Sequence, residues 1–122
     1  MTGHIHQILK QYWGYSSFRA LQEDIIHSVL SDRDTLALLP TGGGKSVCFQ
    51  VPVMAREGLG IVVSPLIALM DDQVQNLRKI GIPAIALNSN LSYREIDLAL
   101  ENAINGSHKF LYISPERLQS EL

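Results

Sequence analysis

Apolar residues recur three and four apart between His4 and Trp13, at Ile5, Ile8, Leu9, Tyr12 and Trp13, which is the spacing of one helix face, and Gly14 follows as a stop. Ser16-Ser17 offers an N-cap for a second helix over Arg19 to Leu30, with Leu21, Ile25, Ile26, Val29 and Leu30 available to a core. After the turn Asp32-Arg33-Asp34, the short apolar run Thr35-Leu36-Ala37-Leu38-Leu39 predicts a strand. The next helix, from about Lys45 to Arg56, contains Pro52, which has no N–H to donate and predicts a kink. Ile61-Val62-Val63 is an unbroken β-branched run of the kind buried on both faces of a parallel sheet.

From Leu66 to Ile80 the pattern is helical again. Its apolar side holds Leu66, Leu69, Met70, Val74, Leu77 and Ile80, and Gly81 is a natural stop. Asp71 and Asp72 fall outside that stripe and read as a solvated face rather than a catalytic pair. Gln73 falls inside it, so if buried its amide needs partners. Ala84 to Leu87 is another strand, and Ser92 with Glu95 spells a capping box, stapled by Leu91 and Ile96, for a helix running to about Asn105. Phe110 to Ile113 is the last strand. Strands and helices alternate, which predicts an α/β fold: a parallel sheet flanked by helices on both faces, with ligands at the carboxyl ends of the strands. Gly42 to Gly44, Ser64-Pro65 and Ser114-Pro115 all fall at such ends.

Composition narrows the picture modestly. A 122-residue chain is one domain at most, and 46% apolar against 18% charged residues describe an ordinary core-forming chain. Ten basic and twelve acidic residues give a net charge of −2, so gross electrostatics neither support nor exclude DNA, and any such contact must be local. The single cysteine, Cys48, excludes an internal disulfide and reads as a small buried residue. His4 and His6 lack further ligands nearby and read as a solvated helix start, and Trp13 reads as packing. Without a membrane-length apolar run or a secretory leader, the expectation is an intracellular soluble protein with no membrane partner.

The chemistry-bearing stretch is LPTGGGKS, Leu39 to Ser46. Glycines accept φ > 0, so Gly42, Gly43 and Gly44 can curl the backbone until successive N–H groups, with Thr41 beside them, line one anion-binding concavity. A helix start adds free N–H groups and a positive dipole end. Lys45 would then reach the terminal phosphates of ATP as a point charge, and the Ser46 hydroxyl would coordinate Mg²⁺. Leu39 stands where the strict phosphate-loop pattern has glycine, so the match is to a variant. Arg19 and Gln22, three apart, present a charge and an amide able to match the N6 and N7 edge of adenine. Taken alone, an exposed Arg and Gln on a helix read as surface decoration rather than a base reader.

Read together, these stretches resemble the RecQ family of ATP-dependent DNA helicases. GYSSFRALQEDII (Gly14 to Ile26) is similar to the segment in which that family recognises adenine, which assigns the role to Arg19 and Gln22. LPTGGGKS resembles motif I, SPLIALMDDQV (Ser64 to Val74) motif Ia, and ISPERL (Ile113 to Leu118) motif Ib. The resemblance implies the N-terminal part of a first RecA-like motor domain of an enzyme coupling ATP hydrolysis to 3′-to-5′ movement on DNA. In it, residues 1–33 carry the adenine segment, 34–122 the phosphate-loop α/β portion, and Ser64, Pro65, Ser114 and Arg117 face single-stranded or partly duplex DNA. It also implies a bacterial cytoplasmic (nucleoid) or eukaryotic nuclear location. The family continues to a DExH box and a second motor domain with an arginine finger, whose losses cost roughly 10²–10⁴ and 10³–10⁵ in rate. The chain is therefore expected to be an incomplete domain, inactive alone. The alternative is a non-catalytic nucleotide-binding or interaction module.

Overall fold

In the computed structural model, residues 2–19, 21–38, 45–87, 92–104, 106 and 108–115 are described. They fall into two units, Met1–Glu57 and Gly58–Leu122. In the first, α1 (Thr2–Ile8) runs on into a π-helical segment, Leu9–Trp13. It closes on Gly14, whose φ of +78° lets its N–H bond Lys10 O at 3.1 Å. Helices α2 (Gln22–Leu30) and α3 (Lys45–Ala55) pack against it. Ile5, Ile8, Leu9, Ile26 and Val51 form their shared core, with Tyr12, Trp13 and Phe18 at its margin. Pro52 lies buried inside α3. Just beyond α3, Arg56 donates to Val29 O at 3.0 Å and to Asp32 Oδ1 at 2.9 Å, tying the helix's far end to the α2 turn.

The second unit is built on three parallel strands: β1 (Gly60–Val63), β2 (Ala84–Leu87) and β3 (Phe110–Ile113), in the order β1-β3-β2. The last strand in sequence thus inserts between the other two, and every residue of β3 is buried. Its side chains alternate. Leu111 and Ile113 pack with Ile96 and Leu100 of α5 (Tyr93–Ile104), while Tyr112 on the other face bonds Gln73 of α4 (Ile67–Lys79). One helix therefore covers each face. The capping box forms as its residues demand, with Ser92 Oγ donating to Glu95 Oε1 at 3.1 Å and accepting from Glu95 N at 3.2 Å. Leu91, the other half of the expected staple, lies outside the described residues. No helix among the described residues is long and apolar enough to cross a membrane.

Three expectations are corrected. The strand over 35–39 is not seen among the described residues: 33–38 has no ladder partner, and Leu36 and Leu38 are 86% and 80% exposed. A strand exists only through its cross-strand bonds. Here Thr35 Oγ1 donates instead to Arg33 O at 3.1 Å and sits 2.8 Å from Ser28 Oγ. Second, α2 starts at Gln22 rather than Arg19, because Leu21 adopts φ +70° and breaks the helical run. Third, β1 is not buried on both faces. Among the described residues it is an edge strand, and Ile61 and Val63, in register with Leu111 and Ile113, are exposed.

Gln73 meets the need its place in the apolar stripe creates: its Oε1 accepts from Tyr112 Oη at 2.8 Å. Tyr112→Phe and Gln73→Leu are each expected to cost about 1 kcal/mol, since each removes this hydrogen bond. Combining them should cost less than the sum, which urea melts of the four proteins will measure. His108, just before β3, has a buried Nδ1 with no hydrogen-bond partner among the described residues. Burial, and secondarily the nearby Arg78 charge, push its pKa below the ordinary 6.5. Protonation therefore favours the unfolded chain: the stabilisation is fully present above about 6.5 and is lost as pH falls through that value toward the depressed folded one. The drop in urea midpoint from pH 7.5 to 5.5 should be smaller in His108→Gln than in the parent.

Candidate nucleotide and nucleic-acid site

Lys45 and Ser46 open α3, Lys45 exposed and Ser46 half-buried. The first turn of a helix carries N–H groups with no carbonyl one turn back, so a cation and a hydroxyl there fit a Mg²⁺-bound phosphate chain. The remaining phosphate-loop residues, Thr41, Gly42, Gly43 and Gly44, lie outside the described residues. The helix itself is well anchored. Val51 is fully buried in the core, Cys48 is buried, and burial pushes the Cys48 thiol up against a smaller opposing backbone hydrogen bond. Cys48 is thus a protonated packing residue, as its position suggested.

Arg19 and Gln22 do come together, by a different route from the one their spacing suggests. They do not share a helical turn. Gln22 N donates to Arg19 O at 3.1 Å, and Arg19 N donates to Gln22 Oε1 at 2.7 Å, so a tight turn closes on itself around Leu21. Gln22 is only 4% exposed, whereas Arg19 is exposed.

The sheet brings the two Ser-Pro corners together. Val63 and Ile113 are in register, and Ser64 N extends the ladder by donating to Ile113 O at 3.1 Å. Leu66 N then donates to Ser64 Oγ at 3.2 Å, turning the chain into α4. Ser64 is half-exposed and Pro65 exposed, but Ser114 is buried at 2% exposure, so it shapes the corner rather than presenting its hydroxyl. Arg117 lies outside the described residues.

His6 differs from the solvated helix start expected of it. It is half-buried, with Nε2 2.7 Å from Glu23 Oε1 and its ring 4.9 Å from that of Phe18. Only tertiary packing could reveal this, because a partner 17 positions along leaves no trace in local periodicity. Among the described residues no group of His, Cys, Asp and Glu could hold a metal ion.

Residues 19–122 match the DEAD/DEAH box helicase family. The ATP-dependent DNA helicase RecQ of Synechocystis is 50% identical over 117 residues, covering 96% of this chain and 24% of that protein. The probable ATP-dependent DNA helicase RecS of Bacillus subtilis is 50% identical over 117 residues, 95% of this chain and 23% of that one. For the RecQ helicase of Haemophilus influenzae the figures are 42% over 113 residues, 93% and 18%. The chain spans at most about a quarter of the length of these relatives. The family match takes in most of the chain, which belongs to the DEAD/DEAH box helicases, on their RecQ-type branch.

Proposed function

We propose that this chain is the nucleotide-binding part of the first RecA-like motor domain of a RecQ-type helicase, which moves 3′ to 5′ along DNA at the expense of ATP. The observation that carries this reading is the placement of exposed Lys45 with Ser46 on the first turn of α3, directly after three glycines in sequence. Lys45 would hold the β- and γ-phosphates, the amides of Thr41 to Gly44 would line the same anion, and Ser46 would ligate Mg²⁺. Arg19 and Gln22 would read the adenine. Residues 1–33 would thus select the base and 34–122 grip the phosphates.

Bound ATP supplies the phosphoanhydride whose hydrolysis drives movement. The chain's own residues bind and orient it. Ser64 and Pro65 would meet single-stranded DNA at the carboxyl edge of the sheet, with Ser114 supporting the corner and Arg117 adding charge. A DNA motor of this kind works in the bacterial cytoplasm, at the nucleoid, or in the eukaryotic nucleus.

Calorimetry with Mg-ATP tests the phosphate end. Lys45→Ala removes a charge-assisted contact of about 1.5–3 kcal/mol, so affinity should fall roughly ten- to hundredfold. Undiminished affinity would remove Lys45 from the role. At the base end, Gln22→Ala should shrink the preference for ATP over GTP about five- to hundredfold, the range for one bidentate base contact. An unchanged ratio in competition binding would return Gln22 to a purely structural part.

A further inference from the structure

We propose that His6 is a positioning residue for nucleotide-base selection: from α1 it braces both residues that flank the Arg19–Gln22 turn. The inference rests on the reading of Arg19 and Gln22 as the adenine-facing pair. On the entry side, the His6 ring meets Phe18 edge-on, 4.9 Å between centroids at 62°. On the exit side, His6 Nε2–H donates to Glu23 Oε1 at 2.7 Å. Two contacts from one side chain thus bracket Arg19 and Gln22.

The turn needs such a brace. Leu21 sits at φ +70°, a left-handed conformation that a residue with a Cβ disfavours, and it is 58% exposed, so burial of its own side chain does little to hold it there. Inside the turn, Gln22 Oε1 restrains Arg19 N. Outside it, His6 adds a further restraint, itself seated on α1 beside the buried Ile5 and Ile8. The second Glu23 oxygen lies 3.8 Å from His27 Nε2 one turn further on, so both carboxylate oxygens face imidazoles and Glu23 has few other places to go. Loosening His6 would slacken Phe18 and Glu23 on either side of Arg19 and Gln22, and a two-point reading of a base edge tolerates displacement poorly.

The test compares fluorescent ATP and GTP analogues, with Mg²⁺, on the parent chain and on His6→Ala, His6→Gln and Glu23→Ala, each checked by a urea melt. His6→Ala should lower the ATP-to-GTP affinity ratio about three- to tenfold, the worth of one ordinary hydrogen bond, with GTP affinity little changed. Glu23→Ala should reproduce the loss, and His6→Gln, whose N–H has similar reach, should restore most of it. Equal weakening toward both nucleotides, or an unchanged ratio, overturns the proposal. If His6→Ala does not fold, Glu23→Ala decides, since its side chain is partly exposed on α2. A parent chain that binds both nucleotides alike, or neither, would instead strike down the adenine reading, and His6 with it.

Discussion

A helix that begins at Lys45 has a first turn of N–H groups directed away from any carbonyl of its own, and the nucleotide binding proposed for the chain depends on that electrostatic deficit. A phosphate chain is the natural complement, being anionic and rich in acceptors. The position of that helix start is fixed from behind. Val51 is locked into the core formed with Ile5, Ile8, Leu9 and Ile26, and Arg56 clamps the far end to Asp32 and Val29 O. Packing three turns away therefore determines where the cationic side chain and hydroxyl of Lys45 and Ser46 stand.

The second unit follows an analogous logic with a sheet in place of a helix. Parallel pairing on both sides of β3 puts Ser64 and Ser114 beside each other, because the register that aligns Gly60 with Phe110 also aligns Val63 with Ile113. The Tyr112–Gln73 bond keeps α4, the helix that leaves the Ser64-Pro65 corner, attached to the strand that leads to Ser114. A buried strand with a polar residue aimed at a half-buried amide gives the edge a defined shape. The same insertion of β3 leaves β1 an edge among the described residues, with Ile61 and Val63 exposed.

Much of this was legible in the sequence. The strands 84–87 and 110–113, the helix ending before Gly81, and the Ser92–Glu95 capping box all follow from local patterns: short apolar runs, helical periodicity, and cap residues at fixed spacing. Gln73's need for a partner was also readable, though not that Tyr112 would meet it. What escaped depends on tertiary context. The 35–39 run is apolar enough for a strand, yet a strand needs a neighbour, and periodicity says nothing of neighbours. Leu21's left-handed backbone is disfavoured by its own chemistry, so no propensity would place it there. The bracing of Phe18 and Glu23 by His6 joins residues far apart in the chain. Those last two features lie at and beside the turn proposed for base selection, a place where local preference and fold are expected to disagree.

The most direct measurement is a backbone amide NMR titration of the chain with Mg-ATP. The amides of Lys45 and Ser46 should move in a saturable way as their helix start takes up phosphate, while those of Ile85 and Ala86, in β2, stay in place. A folded chain in which Lys45 and Ser46 remain still at millimolar nucleotide would contradict phosphate binding at α3, and the motor-domain reading would fall with it.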